Sequence, residues 1–295
     1  MKSTLPFNGQ LLCDELMSKH TSWRVGGKAD NYYIPVDLND LQNYLQSIPN
    51  NADINWVGLG SNMLVRDGGI RGYVISTVNA LREITLCDGG FVYAQAGVTC
   101  AKLAKFCLKN GLTGADFLAG IPGTVGGALA MNAGAFGSEI WSFVTLAEMI
   151  NRQGELINRK TEEFDVHYRR VSQFNNEWFA AARFQFNTEL EQKGSNIKKL
   201  LQQRNESQPI GLPSCGSVFK NPKGQYAAKL IEAAGLKGYC HGNAWVSEKH
   251  ANFIISNAQT SSKDIEGLVE LIQQTVKQKF DVTLETEVRI LGDEL

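Results

Sequence analysis

The sequence predicts an α+β fold, and three observations support that class. Short apolar runs bounded by glycine, asparagine or proline recur along the first two thirds of the chain, as in strands joined by turns. Helical periodicity is limited to a few capped segments. The chain has 295 residues, 43% hydrophobic and 20% charged, so it is globular and larger than one small domain. Many short strands with a few helices make an α+β pattern.

The first 80 residues are predicted to hold one helix and several extended segments. An extended stretch at 32–36 precedes a helix over 38–48, which Asp37 caps. A buried strand at 54–57 then runs into a glycine turn, and another strand follows at 72–77. This region therefore reads as strands with one connecting helix.

The middle of the chain contains two predicted hairpins and an amphipathic helix. Asp88-Gly89-Gly90 separates two apolar runs, which is a hairpin signal. Thr99 caps a helix that extends to Asn110, where a glycine follows. A second pair of strands turns at 151–154, and a further strand spans 178–186.

The stretch 117–138 is uncharged and contains six glycines. Its length and neutrality resemble a membrane span, but the glycines, Pro122 and Asn132 exclude a hydrocarbon helix. Glycine lets a backbone approach a flat or phosphorylated ligand closely. Thr124 is predicted to cap a short helix over 125–133 whose first amides face that ligand. A tightly packed core loop is the alternative.

Composition changes after Asn187, where a charged helical segment is followed by a proline-rich stop. We place a domain boundary there. Beyond it the pattern predicts a helix at 226–234, a strand at 252–256, a helix begun by the Ser261/Asp264 capping box, and a final strand at 282–291. Apolar and polar residues alternate along that last strand.

Charge and motif content exclude several classes of function. The net charge of −1 provides no field for nucleic acid or an anionic membrane, and we expect no signal peptide because the N-terminal residues lack a basic flank followed by an apolar run. The six cysteines are scattered, so we expect reduced thiols in a cytoplasmic protein. The four histidines lack metal-ligand spacing, and no metal is expected.

Four polar motifs are candidates for chemistry. The 58–62 turn lacks the third glycine of a dinucleotide fingerprint, yet its amides could hold a pyrophosphate; a purely structural turn is equally open. Arg169 follows Tyr168 and could clamp a carboxylate, although adjacent arginines usually face solvent. Ser217 lies in a tight turn beside Cys215, which we interpret as a buried thiol rather than a nucleophile. Glu287 fits an exposed strand face unless a cleft buries it.

Seven segments, in this order, resemble the UDP-N-acetylenolpyruvoylglucosamine reductases of bacterial peptidoglycan synthesis over nearly the whole chain. They are TSWRVGG at 21–27, GLGSNMLVRDGG at 58–69, AGIPGTVGGALAMNAGAFG at 119–137, Tyr168-Arg169, GSVFKNP at 216–222, HANFIIS at 250–256 and EVRILG at 287–292. The resemblance implies a two-lobed FAD-binding domain of the vanillyl-alcohol-oxidase type at 1–187, with lobes of about 1–79 and 80–187. An α+β substrate-binding domain at 188–295 would follow.

The resemblance also implies a reaction. NADPH would reduce bound FAD, and flavin N5 would deliver hydride to C3 of UDP-N-acetylglucosamine enolpyruvate, with a proton added at C2, to form UDP-N-acetylmuramate. Arg169 matches the family's catalytic arginine, Ser217 its proton donor and Glu287 its catalytic glutamate. Lys220 and Asn221 match positions that contact the nucleotide diphosphate of the substrate.

The same resemblance implies a set of FAD contacts drawn from three segments. They are Arg24, Gly58, Gly60, Ser61, Asn62, Met63, Leu64, Gly120, Ile121, Pro122, Gly123, Thr124, Gly126, Gly127, Ala128, Asn132 and Gly134. Two departures from the family stand out. Arg170 adds a residue before the serine of the usual Y-R-x-S and competes with Arg169. The short segment between 187 and 209 indicates the subtype without the long tyrosine loop.

Two other functions remain open. A flavin oxidase sharing the FAD domain would need no Ser217 proton donor, and a non-catalytic flavin-binding protein would leave Arg169, Ser217 and Glu287 unexplained. We expect a monomer that binds a small-molecule UDP-sugar and neither nucleic acid nor membrane.

Overall fold

The computed structural model describes residues 7–172, 174–188 and 196–295, which form six α-helices and eighteen β-strands. The helices are α1 (Leu38–Ser47), α2 (Cys100–Lys109), α3 (Val125–Met131), α4 (Ile197–Ser207), α5 (Ala227–Ala233) and α6 (Ser262–Phe280). The strands are β1 (Gln10–Leu16), β2 (Lys28–Ile34), β3 (Ile54–Val57), β4 (Met63–Val65), β5 (Ile70–Ser76), β6 (Ile84–Leu86), β7 (Phe91–Gln95), β8 (Gly134–Ala135), β9 (Ser138–Glu139), β10 (Val144–Asn151), β11 (Leu156–Lys160), β12 (Val166–His167), β13 (Arg170–Val171), β14 (Glu177–Gln185), β15 (Cys240–His241), β16 (Ala244–Val246), β17 (Ile254–Ile255) and β18 (Arg289–Leu291).

The chain divides into two compact units. In its described part, the first unit contains 7–12, 32–58, 74–172, 174–188 and 196–203, and the second contains 13–31, 59–73 and 204–295. Strands β1, β2, β5 and β3 form a four-stranded sheet of order β1-β2-β5-β3. Among the described residues, no helix has the length and apolar character needed to cross a membrane.

A five-stranded antiparallel sheet of order β11-β10-β14-β7-β6 is the framework of the first unit. Both predicted hairpins belong to it: β6 pairs with β7 across 88–90, and β10 pairs with β11 across 151–154. Helix α3 lies against β14 and β7. Its apolar side chains share one core with α2 and the sheet, including Leu103, Val125 and Phe184.

The second unit is built around α6, which packs on α5 and on the three-stranded sheet β15-β16-β17. Ile265, Leu268 and Ile272 of α6 are fully buried and lie in the same core as Phe219. Strand β18 pairs in parallel with β4, so that Arg289 lies opposite Met63. Residues 204–295 and the 59–73 segment are therefore one folded unit.

Helix starts agree with the capping residues expected from the sequence. Asp37 accepts a hydrogen bond from the Asp40 amide, Thr99 from the Lys102 amide, and Thr124 from the Gly127 amide. At α6 the Ser261 and Asp264 side chains form the full capping box. Each cap satisfies an amide that has no partner within its helix.

Three predicted elements are wrong in extent. The final strand is confined to β18, because residues 285–287 instead exchange hydrogen bonds with the irregular backbone at 218–220. Helix α3 ends at Met131, since Asn132 adopts a left-handed conformation with φ +48°. The strand expected at 252–256 shortens to β17. Strand β1 was not predicted. The charged helical segment predicted after Asn187 includes 189–195, which lie outside the described residues.

Asp40, in the first turn of α1, is a buried acidic residue with 2% exposure. It accepts hydrogen bonds from the Tyr33 hydroxyl at 2.6 Å, from the Val36 amide at 3.0 Å and from the Asn8 amide. Burial opposes its charge, but these donors outweigh burial and hold the pKa of Asp40 below its ordinary value. The ionised carboxylate therefore stabilises the fold.

Asp40→Asn is expected to lower the free energy of unfolding at pH 7 by about 2–4 kcal/mol, because an amide NH₂ would face backbone N–H donors. The folded-state pKa lies below the unfolded one. The contribution is therefore present above about pH 4 and is lost as the pH falls through the folded-state pKa. Denaturant titrations at several pH values measure it, and a difference below about 0.5 kcal/mol at pH 7 would contradict the prediction. Asp37→Asn, which keeps a capping oxygen, is the matched control.

Candidate functional site

The predicted site residues fall into two groups, one in each unit. The first unit holds Gly58, Gly120, Ile121, Pro122, Gly123, Thr124, Gly126, Gly127, Ala128, Asn132, Gly134 and Arg169. The second unit holds Arg24, Gly60, Ser61, Asn62, Met63, Leu64, Ser217, Lys220, Asn221 and Glu287. The structure brings together the members of each group as follows.

The turn after β3 presents backbone donors. Gly60 has φ +59°, and any Cβ there would overlap the His20 carbonyl oxygen, so only glycine fits. Within the described part of the chain, the amides of Leu59, Gly60 and Ser61 donate to no protein acceptor. Successive free N–H groups in a turn form an anion-binding concavity. The donor set therefore fits one phosphate of a dinucleotide such as FAD.

The start of α3 differs from the prediction. The Val125 amide donates to the Val98 carbonyl at 2.7 Å, and the Gly126 amide donates to the Ala96 carbonyl at 2.9 Å. The Gly127 amide is taken by Thr124. These amides cannot face a ligand, so the expectation that they do is wrong. Gly126 lacks a side chain because the Cβ of Ala96 lies 2.8 Å from where a Cβ would stand.

Arg169 occupies the turn between β12 and β13, with φ +54°. Its Nη1 donates to the Asn132 carbonyl at 3.1 Å, and its Nη2 donates to the Gly134 carbonyl at 2.8 Å. Its side chain is only 15% exposed. The planar guanidinium is thus fixed on two main-chain oxygens that belong to the glycine-rich stretch.

Arg170, the competing arginine, has a different environment. It lies in β13 opposite His167, and it is exposed. A solvated surface position is the common one for arginine. Of the two, Arg169 has the fixed geometry that a catalytic cation needs.

Asn132 connects the stretch to Arg169 and is 2% exposed. Its Nδ2 donates to Glu139 at 2.7 Å and to the His167 carbonyl at 3.1 Å, while its Oδ1 accepts from the Trp141 amide at 3.4 Å. Both side-chain hydrogens are therefore used inside the protein. Asn132 stays a predicted FAD contact, and its side chain and main-chain carbonyl also link Glu139, Trp141 and Arg169.

Ser217 and Glu287 lie on adjacent backbone segments of the second unit. Gly216 has φ +71° and Ser217 is half-buried. The Glu287 amide donates to the carbonyl of Val218, next to Ser217, at 2.8 Å. The Glu287 carbonyl accepts from Asn62 Nδ2 at 3.1 Å, which ties this pair to the glycine turn. Glu287 is half-buried rather than on an exposed strand face.

Asn252 holds the Ser217 turn from the other side. Its backbone carbonyl accepts from the Val218 amide, and its side chain exchanges two hydrogen bonds with the backbone of Phe219, at 2.9 and 2.8 Å. Sequence reasoning missed this role, although Asn252 lies in the quoted HANFIIS segment. A buried asparagine between apolar residues was the available signal.

Cys215 is a structural thiol. It is 1% exposed, and its Sγ contacts the carbonyl oxygens of Gly60 at 3.5 Å and Met63 at 3.3 Å. Burial raises the pKa of Cys215 to about 12, so it is not a thiolate at neutral pH. All six cysteines are free. Within the described residues, no group of three His, Cys, Asp or Glu side chains could hold a metal ion.

The remaining predicted residues lie around these two groups. Lys220 contacts Glu285, with 3.4 Å between Nζ and Oε2. The Asn221 side-chain oxygen accepts from the Ala227 amide at the start of α5, so that it caps this helix. Arg24 is exposed, with φ +58°. Met63 and Leu64 are buried in β4.

Two family models match the chain. One is described as "FAD binding domain" and matches residues 29–159. The other is described as "UDP-N-acetylenolpyruvoylglucosamine reductase, C-terminal domain" and matches residues 208–291. The α+β fold class and the FAD-binding domain predicted from the sequence are confirmed.

Relatives match over nearly the full length. A UDP-N-acetylenolpyruvoylglucosamine reductase of Coxiella burnetii (strain RSA 493 / Nine Mile phase I) is 51% identical, covering 96% of both chains. One from Methylococcus capsulatus is 49% identical, covering 99% of this chain and 96% of the relative. The crystal structure of the Thermus caldophilus enzyme of the same name superposes with a TM-score of 0.81 at 28% identity, covering 97% of this chain and 99% of that one.

These matches agree with the seven segments quoted from the sequence, and they confirm the enzyme class, an FAD-dependent oxidoreductase. With half of its residues identical over almost its entire length, the chain belongs to the UDP-N-acetylenolpyruvoylglucosamine reductase family.

Proposed function

We propose that this protein uses NADPH and bound FAD to reduce UDP-N-acetylglucosamine enolpyruvate to UDP-N-acetylmuramate, a step of peptidoglycan precursor synthesis. The observation that carries the proposal is the 51% identity to a reductase of that name over 96% of the chain. The described residues add chemically suitable groups: a turn with three available amides, an arginine held on two main-chain carbonyls, and a serine whose backbone segment lies next to that of Glu287.

FAD, when bound, would take two electrons from NADPH and pass them to the substrate as hydride from N5. We propose that Leu59, Gly60 and Ser61 hold its pyrophosphate through their amides. The 120–123 segment and Thr124 would pack along the cofactor without donating the amides of Val125 and Gly126. These residues bind and orient the flavin, and none of them reacts.

Arg169 is proposed to stabilise the charge that appears when hydride reaches C3. The electron pair then moves onto C2 and its carboxylate, giving an enolate. A guanidinium that is already held on the Asn132 and Gly134 carbonyls does not need to reorganise at that moment. Its stabilisation is larger in the transition state than in the bound substrate, which is what raises the rate.

Ser217 is proposed to donate the proton to C2. A serine hydroxyl is a weak acid, but an enolate is basic enough to take a proton from a well-placed one. The backbone of Glu287 is hydrogen-bonded beside Ser217 through Val218, and we propose that its carboxyl group polarises the enol or orients the donor.

The domain assignment also stays a proposal: an FAD-binding domain at 1–187 with lobes of about 1–79 and 80–187, and a substrate-binding domain at 188–295. Lys220 and Asn221 would contact the nucleotide diphosphate through Lys220 Nζ and the amide NH₂ of Asn221. A monomer is the proposed state, which sedimentation of the purified protein would check.

Steady-state assays test the proposed reaction. Purified protein with a flavin absorption spectrum should oxidise NADPH over many turnovers only when UDP-N-acetylglucosamine enolpyruvate is added, and the product should be two hydrogen masses heavier than that sugar. NADPH oxidation driven by oxygen alone, with the enolpyruvyl sugar unchanged, would instead indicate a flavin oxidase. A bound flavin that never turns over would indicate a non-catalytic flavoprotein.

A further inference from the structure

Glu139 lies beside the proposed catalytic arginine, although nothing in the sequence pattern singles it out. Its Oε2 accepts from Asn132 Nδ2 at 2.7 Å, and its Oε1 lies 3.6 Å from Arg169 Nη1. One carboxylate therefore contacts both the Arg169 guanidinium and Asn132, whose main-chain carbonyl accepts a hydrogen bond from that guanidinium.

The backbone fixes Glu139 in this position. Glu139 is the last residue of the β8-β9 hairpin. The turn residues of this hairpin, Phe136 and Gly137, have φ +53° and +84°. Glu139 lies opposite Gly134, where an added Cβ would stand 2.9 Å from Glu139 Cγ. The same hairpin thus supplies the Gly134 carbonyl to Arg169 and carries the carboxylate.

We propose that Glu139 is a positioning residue that orients Asn132 and Arg169 for stabilising the enolate. The inference rests on the proposed function. A charge-assisted hydrogen bond from Asn132 to a carboxylate is short and strong, and it sets the direction in which the Asn132 carbonyl faces Arg169. The Glu139 carboxylate is 35% exposed, and its Oε1 lies 3.6 Å from Arg169 Nη1. At that distance the opposite charges attract, which helps to orient the guanidinium.

A carboxylate near a catalytic cation could have the opposite effect, by neutralising it. The two effects predict different outcomes. If Glu139 positions Arg169, Glu139→Gln keeps an oxygen that accepts from Asn132 and should preserve most of the rate, whereas Glu139→Ala should not. If Glu139 mainly neutralises Arg169, both variants should be faster than the wild type.

The test separates the two half-reactions of the FAD-loaded full-length protein by anaerobic stopped flow. Glu139→Ala is expected to slow flavin reoxidation by UDP-N-acetylglucosamine enolpyruvate about 10- to 100-fold, because a small misplacement of a catalytic group is costly. Glu139→Gln should lose less than about fivefold, since its oxygen still accepts from Asn132. Flavin reduction by NADPH, FAD content and thermal stability should remain near wild type in both.

Glu163→Gln is the matched control, since Glu163 pairs with Arg159 at 3.0 Å in the same unit with 39% exposure. It should leave reoxidation unchanged. If Glu139→Ala does not fold, Glu139→Asp replaces it: the charge remains, but the shorter side chain cannot reach Asn132, and the loss should persist.

A double-mutant cycle with Arg169→Ala decides whether Glu139 acts through the arginine. Removing Glu139 in that background should slow reoxidation no further. Wild-type rates in Glu139→Ala, faster rates in both variants, equal loss in both half-reactions, or an additive loss in the cycle would each overturn the inference. A wild-type protein that the enolpyruvyl sugar fails to reoxidise would refute the proposed function instead.

Discussion

Ser217→Ala is expected to slow reoxidation of the reduced flavin by UDP-N-acetylglucosamine enolpyruvate by about 10² to 10⁴-fold. The alanine has no proton to give to C2, and the half-buried turn after Gly216 keeps its shape without the hydroxyl. Reduction of the flavin by NADPH needs no proton from Ser217 and should stay within about twofold. Anaerobic stopped-flow measurements of the two half-reactions show the difference directly.

Ser214→Ala is the control for that experiment, because Ser214 lies in the same turn, three residues earlier, and has no proposed role. It should behave as wild type in both half-reactions. If Ser217→Ala slowed flavin reduction as much as reoxidation, Ser217 would be a structural residue.

Arg169→Ala should slow flavin reoxidation by about 10³-fold, comparable to removing one preorganised donor or cation at a developing oxyanion. Arg169→Lys should recover little of the rate. A lysine ammonium cannot hold the Asn132 and Gly134 carbonyls with the planar two-pronged geometry of a guanidinium. The measurement is again the single-turnover reoxidation rate.

Arg170→Ala is the matched control and should stay within about twofold of wild type, because its exposed side chain has the solvation of a surface arginine. The opposite ranking, with a severe loss at Arg170 and a mild one at Arg169, would show that the extra residue in this chain shifts the catalytic role by one position.

Features governed by local rules were predictable from the sequence. Asp37, Thr99, Thr124 and Ser261 cap their helices as expected, because a side-chain oxygen satisfies amides only two or three residues away. The hairpin about 88–90 also follows from neighbouring residues alone. The α+β class depends on such short-range signals.

Features set by distant backbone were not predictable. Strand β18 is short because the segment before it bonds with 218–220, about seventy residues away in the sequence. The first amides of α3 are taken by carbonyls of Ala96 and Val98, which no local pattern shows. Glu139 reads as an ordinary polar residue until the β8-β9 hairpin places it beside Asn132.

In the candidate site, too, the residues could be identified from the sequence, whereas the contacts that position them could not. Arg169, Ser217 and Glu287 were identified through family motifs, and their roles stay predictions. The structure adds three features that the motifs lack. Two main-chain carbonyls fix Arg169, and Asn252 holds the Ser217 turn by hydrogen bonds. The amides at 59–61 donate to no acceptor among the described residues.

An anaerobic reoxidation experiment tests the central claim most directly. The purified protein is first bleached with one equivalent of NADPH and then mixed with UDP-N-acetylglucosamine enolpyruvate in the absence of oxygen. We expect the oxidised flavin spectrum to return, with UDP-N-acetylmuramate formed in an amount equal to the flavin. A flavin that stays reduced until air is admitted would contradict the assignment of this protein as a reductase of the enolpyruvyl sugar.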